Sequence, residues 1–325
     1  MRFSRLYKPS SFSSSFKRLQ LFLLASLAMI QLTQCSNGSS DNNPDVAITD
    51  TSCWVGPGLY QIPENKTGDS IRYGRALISQ TAYYLGPRGT VRQITNGMNC
   101  QNCHLDAGTK PWGNNFGRVR ANYPIYRARS GTVETLHKRI TDCFERSLNG
   151  SAPDSGSYEM EAIVAYIRWV GQDVAKNTIP RGTGIQELPY MNRAADPVKG
   201  QWVYTSFCAN CHGKNGEGVA DAAKIGYQYP PLWGENSYNV SAGLYRLSRF
   251  AGFVKCNMPN TVNYHNPVIT NEQAWDVAAF VNSRERPNKK WSTDWPDIRK
   301  KPVDHPFGPY ADTLSKQQHK YGPWK

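Results

Sequence analysis

The chain has 325 residues, 39% of them hydrophobic, a formal net charge of +13 and eight cysteines. That length accommodates a leader and two modest domains. No apolar run beyond the leader is long enough to span a bilayer, which excludes a multispanning helical membrane protein. The basic excess suits nucleic acid, acidic proteins or small anions, and the export leader argues against nucleic acid.

Residues 1–34 read as a signal peptide. Arg2, Arg5, Lys8, Lys17 and Arg18 form a basic start, and residues 21–30 are an apolar run of signal-peptide length. Cys35, followed by Ser36-Asn37-Gly38-Ser39-Ser40, resembles a bacterial lipoprotein processing site, although Gln34 stands where a small residue is usual. The expectation is a lipid on Cys35 and a periplasmic protein tied to a membrane; an ordinary cut nearby is the alternative. Residues 35–68 are a polar tether.

A first domain is predicted over 69–179. A helix starts at Arg75-Ala76-Leu77-Ile78, and a Gly/Pro loop leads to Cys100-Gln101-Asn102-Cys103-His104. A loop rich in Gly, Asn and Trp covers 110–122. The next predicted helix runs over 133–148, capped by Thr132 and stopped at Gly150. It places Arg139, Cys143 and Ser147 at i, i+4 and i+8 on nearly one face. A mostly apolar helix covers 160–170 and a linker 180–189. A second domain over 190–284 repeats the order: a short helix at 200–204, Cys208-Ala209-Asn210-Cys211-His212, a loop with Pro230-Pro231, Met258-Pro259, and a helix capped by Thr270. Residues 285–325, basic and rich in aromatics, read as an extended arm over the domains. The fold class is therefore all-α, two cytochrome c-like domains in tandem plus that arm; the repeat rests on order, not on residue identity.

The two pentapeptides read C-x-x-C-H, the attachment signature of c-type haem. Two thiols reach the vinyl groups of one porphyrin edge, and the adjacent histidine binds the iron. Zinc or thiol redox chemistry is the alternative for either motif alone. The reading is two covalent haems c, on Cys100, Cys103 and His104 and on Cys208, Cys211 and His212. Beyond these and Cys35, three cysteines remain, Cys53, Cys143 and Cys256, and three thiols cannot all pair. A Cys53–Cys256 disulfide is one option.

Each iron needs a sixth partner. For the second haem the candidates are Met258, Lys255, Cys256 and His265, with Met258 favoured because a Met-Pro pair here matches the axial methionine of small cytochromes c. For the first they are Met160, His137 and Cys143. Cys143 lies between Arg139 and Ser147 on a polar face, where guanidinium groups favour thiolate.

The stretch Arg139-Ile140-Thr141-Asp142-Cys143-Phe144-Glu145-Arg146-Ser147-Leu148-Asn149-Gly150, with Tyr126-Arg127-Ala128-Arg129-Ser130 before it, resembles the dihaem thiosulfate dehydrogenases and tetrathionate reductases. The likeness extends through both haem motifs, Asn257-Met258-Pro259, and the tail segments at 305–310 and 318–323. It implies that Cys143 ligates the first iron opposite His104, and that Arg129, Arg139 and Ser147 line a substrate pocket between the haems. It also implies that two thiosulfates become tetrathionate, or the reverse, with electrons passing from the first haem to the second and on to a small redox protein or other carrier. Some members place a lysine just before the methionine and exchange the two ligands; Asn257 implies constitutive His212/Met258 ligation. The rival readings are a non-catalytic dihaem electron carrier and a dihaem peroxidase.

Overall fold

The computed structural model describes residues 53–324, so the leader, Cys35 and most of the tether lie outside the described residues. Each half is organised by one pair of crossed helices. In the first, α1 (Lys66–Ser79) starts at Asn65, whose side chain accepts from the Gly68 N–H, and buries Ile71, Leu77 and Ile78. The sequence at 75–78, expected to open a helix, closes this one. The apolar α3 (Tyr158–Val170), capped by Ser157, crosses it. The two backbones touch at Gly74, where a Cβ would stand 1.9 Å from the Ala162 carbonyl oxygen and 2.9 Å from the Tyr166 Cβ. Only glycine permits that approach.

The second half repeats this crossing. There α4 (Pro197–Phe207), capped by Asp196, meets α6 (Asn271–Ser283), capped by Thr270 in a reciprocal bond with Gln273. At Gly200 a Cβ would stand 1.9 Å from the Asp276 carbonyl oxygen and 2.9 Å from the Phe280 Cβ. The repeat, inferred from element order alone, thus extends to matched glycines and matched aromatic neighbours. Each buried Leu, Ile or Phe on these faces stabilises the fold by about 1.5–3 kcal/mol.

Between the first pair lies a second departure from expectation. Thr132–Glu134 is not helix but strand β2, antiparallel to β1 (Ile125–Arg127), with Arg127 opposite Thr132. Gly131, at φ 68°, closes the turn and donates its N–H to the Arg127 carbonyl at 2.9 Å. The β-branched pair Thr132-Val133 suits the strand. Thr135, accepting from the Lys138 N–H, is the actual cap of α2 (Leu136–Arg146). A second ribbon pairs β3 (Val219–Ala220) with β4 (Tyr227–Tyr229). Helix α5 (Leu247–Asn257) precedes Met258, and no helix among the described residues is long and apolar enough to cross a membrane.

Segment 180–189 has no helix or strand and is laid along the loop after the first pentapeptide. Trp112 and Asn114 donate to the Gly182 and Gly184 carbonyls at 2.8 and 2.9 Å. The buried Asn115 side chain donates to the Gly182 carbonyl as well. The C-terminal arm is largely irregular and ends in the short helix α7 (Lys316–Tyr321). It is fastened by Asp294 to Arg146 and by Asp304 to Arg246.

Candidate active site

The first pentapeptide is held by its neighbours. The Cys100 N–H donates to the buried Thr81 hydroxyl at 3.0 Å, and the Asn99 side chain accepts from Ala82 N–H at 2.8 Å. His104 Nδ1 lies 2.5 Å from the Asn114 carbonyl. A carbonyl only accepts, so Nδ1 carries the proton and Nε2 keeps its lone pair. Burial pushes His104 down to about 4, which keeps the ring neutral near neutrality. The second motif repeats the arrangement: His212 Nδ1 meets the Pro230 carbonyl at 2.8 Å, and burial lowers its pKa too. Burial pushes the thiols of Cys100, Cys103 and Cys208 up to about 11, 12 and 12.

Each motif opens on a cavity. The first, of about 350 Å³, is lined by Cys100, His104 and Cys143 among apolar side chains such as Phe116, Ile140 and Ile163. The second, of about 260 Å³, is lined by Cys208, Cys211, His212 and Met258, and reaches Cys103 of the first motif. Among the described residues no group of three or more His, Cys, Asp or Glu converges to hold a bare ion. Two thiols and one neutral imidazole that do not converge on one point do not make a zinc site; spread along the wall of an apolar cavity, they fit a large, flat, mostly apolar group with one nitrogen ligand.

The candidate sixth partners sort by position. Met160 is fully buried in the core, and His137 Nε2 is bonded to Glu161 at 2.8 Å. Of the three candidates near the first motif, Cys143 alone faces the cavity. Near the second, Lys255 donates to the Ile269 carbonyl and His265 is exposed against Tyr264. Cys256 is in no disulfide: its thiol donates to the Gln186 side chain, which removes the Cys53–Cys256 option. Met258 remains. Asn257, fully buried, turns away and donates to the Trp112 and Phe253 carbonyls.

A third cavity, of about 210 Å³, adjoins the first and shares His104, Arg139 and Cys143 with it. Ser147 and Arg129 complete the set named from the sequence, so all four expected site residues meet here. The Cys143 sulfur beside it raises the Arg139 pKa above its ordinary value. Burial, then the nearby Arg146 charge, pushes Arg129 down to about 10. Its Nη1 donates to the Ser241 carbonyl at 3.2 Å, and its own carbonyl accepts from Trp295 N–H at 2.6 Å. Among the described residues no acidic side chain lines this cavity.

Sequence reasoning missed four of its arginines: Arg118, Arg127, Arg246 and Arg249. A signal existed for Arg127, two residues before Arg129 and so on the same side of an extended chain. The other three come from a loop and from the start of α5, and nothing local marks them.

The SoxA/TsdA cytochrome c domain family matches residues 90–175, and the cytochrome c family residues 197–285. The chain is 36% identical over 252 residues to a thiosulfate dehydrogenase of Allochromatium vinosum, covering 76% of this chain and 87% of that protein. It is 34% identical over 231 residues to a thiosulfate dehydrogenase of Stutzerimonas stutzeri, covering 71% and 72%. The chain belongs to the thiosulfate dehydrogenase family of c-type cytochromes. A solved thiosulfate dehydrogenase (TsdBA) from Marichromatium purpuratum superposes on this family member with a TM-score of 0.66 at 33% identity, over 73% of this chain. The match spans 50% of that longer chain. This family member therefore has the tandem cytochrome c architecture that its order of elements implied, and it is a haem c protein.

Proposed function

We propose that this chain joins two thiosulfate ions into tetrathionate, releasing two electrons, and runs the reaction backwards when electrons are supplied. One observation carries the reading: Arg139, Cys143 and Ser147, on successive turns of α2, open with Arg129 and His104 onto one cavity that no carboxylate among the described residues lines. Cys100, Cys103 and His104 would hold one covalent haem c, and Cys208, Cys211 and His212 another. Cys143 and Met258, which line the two cavities, would be further ligands to the two irons. The two haems, when bound, supply one-electron redox chemistry at two centres, which matches the two electrons released.

Two dianions about 5 Å apart repel by roughly 13 kcal/mol at an effective dielectric of ~20. A site that couples them must hold cations close to both. Arg129 and Arg139 do this with forked hydrogen bonds to sulfonate oxygens, and the Ser147 hydroxyl adds a donor. The Cys143 thiolate bonds the outer sulfur of one thiosulfate as two electrons leave, giving a cysteinyl thiosulfonate. The outer sulfur of the second thiosulfate then attacks that same sulfur. The new sulfur–sulfur bond completes tetrathionate, and the cysteine thiolate is the leaving group. Electrons exit from the Met258 side to a small redox protein or comparable acceptor. The leader places the chain in the periplasm, with a lipid on Cys35 as its membrane tie.

The test is thiosulfate-dependent and tetrathionate-dependent electron flow on the purified holoprotein. Cys143→Gly keeps its haem content and loses turnover in both directions. Retained turnover refutes the role given to Cys143.

A further inference from the structure

The anion cavity has a second wall that the named residues do not account for. Opposite Arg129, Arg139 and Ser147 stand Arg118, from the loop after the first pentapeptide, and Arg246 and Arg249, from the start of α5 in the other half. Their surroundings differ in a telling way. Arg246 is anchored: its Nε bonds the buried Asp304 carboxylate at 2.9 Å. Arg118 lies against Gly184, where a Cβ would meet its Nη2 at 3.4 Å. Arg249 is more loosely held: its side chain is half-buried, and its nearest carboxylate, the exposed Glu187, is 3.6 Å away. Burial and the Arg246 charge both lower the Arg249 pKa, so gathering these cations costs free energy that a bound anion would recover.

Resting on the reaction proposed above, we infer that Arg118, Arg246 and Arg249 form a second sulfonate subsite, which takes the attacking thiosulfate and, in the product, the far sulfonate of tetrathionate. The reasoning is one of charge and reach. Coupling needs the sulfonate of the Cys143 adduct and a second thiosulfate dianion in one cavity at the same time, and Arg129 and Arg139 suffice for one. The second ion must keep its outer sulfur facing Cys143 while its sulfonate is held elsewhere. Three guanidinium groups across the same acid-free space fit that sulfonate. The anchored Arg246 fixes its place, and Arg249, with no carboxylate in close contact, adds a second guanidinium beside it. The two halves of the chain thereby share the substrate between them.

The decisive experiment is calorimetric titration of tetrathionate into fully oxidised Cys143→Gly holoprotein, which has neither electrons to reduce the ion nor the thiolate that would exchange with it; the arginine variants are made in that background. Arg249→Gln is expected to weaken binding at least tenfold, and Arg249→Lys, which keeps the charge but not the fork, by less. An unchanged Soret spectrum and melting temperature show that each variant is folded. Arg118→Gln repeats the test from the other element. Affinity equal to that of the Cys143→Gly parent in both glutamine variants overturns the subsite. Because binding is read without turnover, that result differs from loss of the coupling activity, which would appear as a wild type that binds tetrathionate but passes no electrons.

Discussion

Asp294 lies far from either pentapeptide in sequence, yet its replacement by Asn should weaken both fold and substrate binding. Its carboxylate takes two bonds from the Arg146 guanidinium, at 2.7 and 2.9 Å. The Arg146 side chain is 5% exposed and that of Asp294 16%. Removing one partner of a buried pair costs about 3–5 kcal/mol. Arg146 retains Asp142 at 3.5 Å and the face of Trp291 at 4.1 Å. These reduce the expected loss to about 2–3 kcal/mol, or roughly 5–10 °C in melting temperature for a chain of this size. The functional effect runs through the next residue. Trp295 N–H donates to the Arg129 carbonyl at 2.6 Å, and the Arg129 guanidinium lies 5.6 Å from the Trp295 ring centre. Loosening the arm here frees Arg129, so the thiosulfate KM should rise by more than kcat falls. Thermal unfolding and steady-state kinetics of the holoprotein read both effects. A melting temperature within about 1 °C of wild type together with an unchanged KM would refute the strut.

Two further outcomes follow from the packing and the protonation pattern. Gly74→Ala and Gly200→Ala each drive a methyl group to 1.9 Å from a carbonyl oxygen, so each should cost about 1–3 kcal/mol by forcing the crossed helices apart; thermal unfolding that leaves either variant at wild-type stability contradicts the crossing. Burial holds His305 down to about 4, and its Nε2 accepts the Trp295 indole N–H at 3.0 Å, which requires the neutral ring. The unfolded chain takes up this proton near 6.5 and the folded chain only near 4. Its share of stability, at most about 3 kcal/mol, is therefore whole above 6.5 and lost as pH falls through 4. Denaturation curves between these limits should show a shallower acid loss for His305→Asn, and parallel profiles for the two proteins would exclude His305 as the cause.

The elements legible from the sequence are those whose signals are local. Thr270 caps its helix where expected, and the i, i+4, i+8 spacing gathered Arg139, Cys143 and Ser147 onto one cavity-facing surface, although α2 ends at Arg146, short of the expected stop at Gly150. The start of α2 was misjudged because Thr132 and Thr135 are equally good caps by composition. What decided between them was Gly131 and the strand pairing to Ile125–Arg127, a contact that helical spacing does not register. The Cys256 environment was illegible for a similar reason. Its partner Gln186 is far away in the chain and sits in a stretch that reads as plain linker. Arg246 and Arg249 are the clearest case: along their own helix they look like solvated cations, and only the docking of the second half against the first turns them into a cavity wall.

That docking also completes the helix on which the proposed chemistry depends. The last carbonyls of any α-helix lack partners within it. In α2 two of them are taken by one residue from the other half: the fully buried Asn239 donates its N–H to the Arg146 carbonyl at 3.0 Å and its side-chain amide to the Glu145 carbonyl at 2.9 Å. Asn239 lies only a few residues before Ala242, Gly243 and Leu244, which line the anion cavity. The segment that finishes the Cys143 helix is therefore continuous with the one that closes the opposite side of the site. Separating the halves would remove a wall, the two cations Arg246 and Arg249, and the cap of α2 together. The same seam brings Cys103 of the first motif to the edge of the cavity built by the second. Substrate capture and the route for electrons are thus set by one interface, and a mutation that shifts it should disturb both at once.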